Sequence, residues 1–308
     1  MNELYPWQAD VFADLQQRRT QVRLAHALLI TGPAGIGKQQ LAKVFSQSLL
    51  CAEPQADGLA CGQCHSCSLY AAGNHPDLFR LSPEEDSKVI KIDQIRSLIE
   101  KLSLSSHYGR YRVVILNPAD AMNIAAANAL LKTLEEPPAD TVLLLITDRP
   151  SFLPATIRSR CQSLRLALPP TEMAQAWLAA QLDNPQDAEV LLGLAGGAPL
   201  AAEALAAEQL ARRKDLLQGW QALALGKADP VKLAADWVKP DLHLPISWVY
   251  GWVADMIRLR SGSEDRLTNK DAKAALQKLA QELDLTRLYG LMDRVVETIK
   301  LANSQVNP

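Results

Sequence analysis

Three groups of residues could carry chemistry in this sequence. The first is "GPAGIGKQQ", Gly32 to Gln40, which follows the apolar run "ALLIT" and leads into "LAKVFSQSLL". Its first eight residues follow the phosphate-binding pattern G-x-x-x-x-G-K-[ST] up to the last position, where Gln39 stands in place of Ser or Thr. In such a loop Gly32, Gly35 and Gly37 let backbone N–H groups turn inward around a phosphate. Lys38 reaches the outer phosphates, and the following helix adds its positive N-terminal end.

Hydrolysis asks for more than a cradle. It needs a hydroxyl on Mg²⁺, a carboxylate at the end of the second core strand, and a group that activates water. Gln39 carries an amide on a longer stem, which cannot take the hydroxyl's place without displacing the metal. In "RVVILNPADAM" the strand ends in Asn117-Pro118, which supplies neither the carboxylate nor the base. Asp120, three residues beyond Asn117, is expected to cap the next helix. Three missing roles together argue strongly against turnover, while an intact loop and Lys38 keep binding of ATP or ADP open.

The second group is Cys51, Cys61, Cys64 and Cys67, four thiols within 17 residues. A C-x2-C step lets two thiolates reach one tetrahedral Zn²⁺, and two such steps plus an outlier make a closed, structural four-thiolate site. An iron–sulfur cluster is the main rival, and four buried unliganded cysteines the plainest alternative. His65 lies inside the cluster but four sulfurs already close the shell. The third group is Arg158 and Arg160 in "LPATIRSRCQ". Two arginines in a polar turn are most often a solvated face; the functional reading is an arginine presented to a neighbouring subunit's nucleotide. Spacing does not decide between them.

These residues must be positioned by a scaffold, and the first ~165 residues supply a recognisable one. "HALLIT" (His26–Thr31), "DLFRL" (Asp77–Leu81), "VIKI" (Val89–Ile92), "YRVVIL" (Tyr111–Leu116) and "TVLLLIT" (Thr141–Thr147) read as strands. Helical spacing predicts Lys38–Leu50, Asp93–Leu102 and roughly Asp120–Glu135 as the helices between them. Apolar strands separated by helices imply a parallel sheet covered on both faces, a doubly wound α/β domain. After "LALPP" (Leu166–Pro170) strand patterns vanish. A small helical unit to about Ala207 and a larger one of about 100 residues follow, with breaks near Gly226–Pro230, Lys239–Pro245 and Ser261–Ser263.

Composition narrows the function classes. A formal net charge of −2 does not suit a protein that coats nucleic acid, so a stand-alone zinc-dependent nucleic-acid-binding protein is disfavoured. No basic-then-apolar leader opens the chain, and no run approaches the ~18 apolar residues of a membrane span. The cytoplasm is the expected location. The chain stops at Pro308 with no evident structural end, which reads as a frayed or shortened terminus.

"AAANALLKTLEEPP" (Ala125–Pro138), "ATIRSRC" (Ala155–Cys161), "GNHPDLFRL" (Gly73–Leu81) and the four-cysteine insertion after the phosphate-loop helix together resemble the AAA+ clamp-loader family of bacterial DNA polymerase III. The resemblance implies an α/β AAA+ P-loop domain over 1–166 with the zinc module at 51–67, a helical lid over 167–207, and an all-α collar over 208–308. It implies a subunit of a replisome complex that places a ring-shaped sliding clamp on primed DNA, with ATP-hydrolysing gamma/tau subunits and a delta subunit as partners. In that family the Ser-Arg-Cys motif presents an arginine finger in trans, which maps here to Ser159, Arg160 and Cys161. Hydrolysing members also carry a lid arginine where this chain has Leu200, and a polar sensor where it has Thr147. Leu200 is a fourth departure from an active site. The family's collar usually continues past the point where this chain stops. The reading is therefore a non-hydrolysing clamp-loader subunit with structural Zn²⁺; the alternative is an active P-loop ATPase of replication or repair. Trp237, Trp248 and Trp252 are candidates for joining collars, although core packing is the commoner role of such residues.

Overall fold

The computed structural model of the chain describes residues 3–85, 87–103, 106, 108, 111–205, 207–238 and 243–302. It divides into two compact units, Met1–Met173 and Ala174–Pro308.

The first unit is built on five parallel strands: β1 (Ala27–Thr31), β2 (Leu78–Leu81), β3 (Arg112–Leu116), β4 (Thr141–Thr147) and β5 (Gln162–Arg165). Their order in the sheet is β2-β3-β4-β1-β5. The three inner strands "ALLIT", "RVVIL" and "TVLLLIT" are buried at every position, as strands covered on both faces must be. The outer two carry charge: Arg80 on β2 and Arg165 on β5 are exposed, which discourages pairing with another sheet edge.

Helices α1 (Ala9–Thr20), α2 (Lys38–Leu50), α3 (His65–Ala71), α4 (Ile92–Ser103), α5 (Ile124–Glu135) and α6 (Ala155–Arg158) complete the unit. Alternate strand residues, among them Leu29, Val114, Leu143 and Leu145, form one core with Ile95, Leu98 and Leu102 of α4 and Leu130 and Leu134 of α5. Helix α2 packs on β3 and β4. Each such buried Leu or Ile side chain contributes about 1.5–3 kcal/mol against exposure.

Two expectations need correction here, and one strand was not expected at all. "VIKI" forms no strand: Ile90 makes one isolated bridge to Met122, and Ile92 already opens α4, whose apolar spacing captures it. The third helix begins at Ile124, not Asp120, and its cap is Asn123, whose Oδ1 accepts from the Ala126 N–H at 2.8 Å. Strand β5 was hidden because only Leu164 of "QSLR" is buried, too little for a period-two signal; it pairs with β1 from Leu28↔Gln162 to Thr31↔Arg165.

The second unit is helical: α7 (Thr171–Ala179, opening just before the division), α8 (Ala188–Leu194), α9 (Pro199–Ala204), α10 (Ala207–Ala224), α11 (Pro230–Val238), α12 (His243–Arg260), α13 (Lys273–Gln281) and α14 (Leu285–Ala302). Its apolar side chains gather in two clusters. One joins α7, α8 and α9 through Leu178, Leu191 and Ala202. The other joins α10, α12, α13 and α14 through Leu217, Trp252, Leu276 and Leu288. Trp248 and Trp252 are buried inside it, the core-packing role, while Trp237 packs against it and stays partly exposed.

Charge is buried there too. Asp255 of α12 is fully buried and accepts from the Thr268 N–H at 3.1 Å and the Asn269 N–H and Nδ2 at 2.7 Å each, with Arg258 beside it at 2.5 Å. Arg213 of α10 lies over the Trp252 ring and donates to Asn269 Oδ1 at 2.7 Å and Asp271 Oδ2 at 2.6 Å. Residues 239–242 of the expected break at Lys239–Pro245 and the chain end from 303 fall outside the described residues. Pro245 sits in the first turn of α12, where its missing N–H is tolerated. Among the described residues no helix is long and apolar enough to cross a membrane.

Candidate functional site

The phosphate loop lies between β1 and α2, as its motif requires. Gly32, Gly35 and Gly37 all have positive φ. Two of these glycines are also demanded by close packing. A Cβ at Gly32 would meet the Leu166 carbonyl oxygen at 2.3 Å, and one at Gly37 the ring of Tyr5 at 2.6 Å.

Tyr5 belongs to a segment the sequence reading passed over. Its ring stacks on Trp7 at 5.0 Å. Trp7 Nε1 donates to the Ile36 carbonyl at 2.9 Å, and the fully buried Gln8 donates through Nε2 to the Gly37 carbonyl at 2.7 Å. An aromatic pair and a glutamine just before α1 were the available signal; what they touch, thirty residues on, was not.

Lys38 is only 5% exposed and is already engaged. Its Nζ donates to the carbonyls of Gly32 (2.9 Å) and Pro33, and forms an ion pair with Asp148 Oδ1 at 2.5 Å. The charge meant for an outer phosphate is thus neutralised by a carboxylate directly after β4. Asp148 is the second residue that sequence reasoning missed.

The metal side of the site has changed sign. Gln39 and Asn117 line one cavity of about 160 Å³, so the two positions that should share Mg²⁺ do come together. Lys43, Arg80 and Ser82 line it with them, beside Leu81 and Ile115, and no carboxylate does. Asp120 is turned elsewhere. Its Oδ1 accepts from Thr147 Oγ1 at 2.7 Å and its Oδ2 from Arg149 at 2.7 and 3.0 Å. Thr147, the expected sensor, is therefore tied to Asp120 and is 1% exposed. Leu200 lies in α9 of the second unit.

The four cysteines converge. All four sulfurs lie within 4.8 Å of one another, with Cys51–Cys61 at 3.5 Å, Cys51–Cys64 at 3.9 Å and Cys61–Cys67 at 4.0 Å. Four thiolates on one tetrahedral Zn²⁺, with bonds of about 2.3 Å, stand about 3.8 Å apart, so the set fits that ion. The backbone N–H groups of Cys61, Cys64 and Cys67 point at the sulfurs of Cys51, Cys61 and Cys64 from 3.3 to 3.4 Å. Burial opposes ionisation of Cys64, but the N–H groups of Cys67 and Ala52 and the adjoining thiols bring it down to about 6. The N–H groups of Gln63 and Cys64 lower Cys61, whereas burial raises Cys51 and Cys67. His65 is not among the converging ligands; its ring packs edge-on against Tyr108.

This lobe is fastened to α2. Ser66 Oγ donates to the Leu50 carbonyl at 2.6 Å and meets His75 Nε2 at 2.7 Å. Tyr70 OH donates to the Lys43 carbonyl at 2.8 Å.

Arg160 follows α6 and precedes β5. Its Nε donates to Glu135 Oε1 at 2.7 Å, its Nη2 pairs with the same oxygen, and its Nη1 donates to the Thr156 carbonyl at 3.1 Å. The guanidinium remains about one-third exposed. Arg158 is exposed, and Ser159 Oγ donates to the Thr156 carbonyl at 3.2 Å. Cys161 packs against the main core, and burial pushes its thiol up to about 11, so it is a packing residue rather than a nucleophile.

A family model described as DNA polymerase III, delta subunit, matches residues 7–170, and one for that subunit's C-terminal part matches residues 207–308. DNA polymerase III subunit delta' of Pseudomonas aeruginosa is 40% identical over 301 residues, spanning 96% of this chain and 90% of that protein. The Escherichia coli subunit of the same name is 35% identical over 292 residues, spanning 94% of this chain and 87% of that protein. DNA polymerase III subunit tau of Bacillus subtilis is 34% identical over 155 residues, 50% of this chain and 27% of that protein.

Proposed function

The chain belongs to the DNA polymerase III delta' family, and from that premise we propose that it is a non-hydrolysing subunit of a clamp loader in DNA replication. It works as a scaffold and as a donor of one arginine. The AAA+ domain (1–166) and lid (167–207) stand beside the ATP-hydrolysing gamma/tau subunits, the collar (208–308) holds the ring of subunits together, and delta is a further partner. The assembled complex places the sliding clamp on primed DNA.

The observation that carries the reading is the state of the phosphate loop. Lys38 is neutralised by Asp148, and the cavity shared by Gln39 and Asn117 has two cations and no carboxylate. A site of that charge repels Mg²⁺ and has no group to activate water. This weighs against the alternative of an active ATPase. Binding of ATP or ADP requires Lys38 to exchange Asp148 for a phosphate.

Arg160 is the residue assigned to chemistry in trans, with Ser159 and Cys161 shaping its turn. A guanidinium donates paired hydrogen bonds to the charge that develops on a neighbour's transferred phosphate. Removing such a finger costs roughly 10³–10⁵ in turnover at the site it serves. Cys51, Cys61, Cys64 and Cys67 would hold Zn²⁺, which cross-links the lobe and does no chemistry.

The test is ATP turnover by the isolated chain and by the complex assembled with Arg160→Ala. The isolated chain is expected to release no phosphate above buffer, with or without Mg²⁺, and the variant complex to turn over ATP far more slowly than wild type. Hydrolysis by the isolated chain would return the P-loop to active status. A variant complex at full rate would remove the finger assignment.

A further inference from the structure

We propose that the cavity between the first turns of α2 and the carboxyl ends of β2 and β3 is an oxyanion site, and that its ligand is a single phosphoryl group. In sheets of this kind ligands bind outside the carboxyl ends of the strands, and the first turn of α2 adds its positive end. Gln39 and Lys43 lie four apart on α2 and therefore share a face. They meet Arg80 and Ser82 from the end of β2 and Asn117 from the end of β3. All five can donate a hydrogen bond to an anion's oxygen.

Among the described residues the cavity's cations, Lys43 and Arg80, have no direct ion-pair partner, although Glu84 and Asp93 line the next cavity along, which Arg80 also borders. Lys38, one turn away, has Asp148. Two cations facing one cavity repel each other unless an anion lies between them. One of them is also held in place. The nearly buried Tyr70 carries the Arg80 guanidinium at 5.2 Å from its ring centre, while its hydroxyl bonds the main-chain carbonyl of Lys43 at 2.8 Å and ties its helix to α2. Tyr70 lies on α3, the helix that contributes Cys67, so the cysteine lobe helps to seat Arg80.

Size limits the ligand. At about 160 Å³ the cavity is well below the roughly 300 Å³ where pockets for whole small molecules begin. It fits a phosphoryl group and a little water, not a nucleoside. That group can belong to inorganic phosphate or to a nucleic-acid backbone. The site does not depend on Arg160 acting in trans.

Calorimetric titration of the whole 308-residue, zinc-loaded chain with inorganic phosphate tests this. Saturable binding is expected, weakened about tenfold or more by Lys43→Gln and by Arg80→Gln, retained by Lys43→Arg, and unchanged by the same loss of charge at Lys278 in the second unit. Equal thermal melting of the variants guards against misfolding as the cause. A primed DNA duplex that displaces phosphate in wild type identifies the backbone as the source; failure to displace it identifies the free ion. No saturable binding, or binding lost in Lys38→Ala but intact in Lys43→Gln, overturns the site.

Discussion

Arg160 is held in this chain by the same kind of bond that the role proposed for it in trans requires. Two of its nitrogens share one oxygen of Glu135, and both side chains are partly in solvent. An ion pair in that setting contributes only about 0–1 kcal/mol, so exchanging the carboxylate for a phosphate is cheap. Glu135→Gln is therefore expected to change the ATP turnover of the assembled complex by less than about fivefold. A loss near that of Arg160→Ala would mean that Glu135 acts on the reaction itself. At this scale the sequence was unevenly legible. Gln39 and Asn117 could be read because each stands in a motif whose chemistry is known position by position. Asp148 could not, since nothing local marks a carboxylate as the partner of a lysine 110 residues earlier. Asp120 was misread for the same reason: an acidic residue before a helix looks like a cap until Thr147 and Arg149 claim it.

Among the elements, the cysteine lobe has the simplest test. Freshly purified protein should carry about one zinc per chain. Cys64→Ser should lose most of it and open the stretch from 51 to 67 to protease, while far-UV circular dichroism of the sheet and helices changes little, because metal binding is coupled to folding of the lobe. Full zinc in the variant would show that Cys64 is not a ligand. The lobe was legible because thiolate spacing is a covalent signature. The three inner strands were legible because burial on both faces leaves an unbroken apolar run. β5 and "VIKI" were not, as an edge strand with one buried residue and a helix start with two isoleucines differ little on the page.

The whole molecule comprises two units that each close their own core, and the second depends on buried polar bonds as well as apolar packing. Asp255 is central, since the loop at Thr268 and Asn269 donates its N–H groups to it. Asp255→Ala is expected to lower stability by about 3 kcal/mol or more, because it strands those donors and leaves Arg258 without its partner. Urea unfolding followed by tryptophan fluorescence would measure this, as Trp248 and Trp252 lie in that core. A change under about 0.5 kcal/mol would place Asp255 among ordinary surface positions. The sequence disclosed the helical character of this unit and its breaks. It did not decide that Trp248 and Trp252 in particular are buried, which depends on how helices far apart in the chain meet.

The phosphate loop bears on how such chains are counted. Gly32 is pressed against the Leu166 carbonyl and Gly37 against the Tyr5 ring, so both are fixed by shape alone. Glycines held by shape are therefore weak votes for an engine, whatever the chain hydrolyses. The informative letters are the ones packing leaves free to vary, Gln39 beside the loop and Asn117 across from it. Packing alone can preserve the housing of a motor, and the housing is what patterns detect.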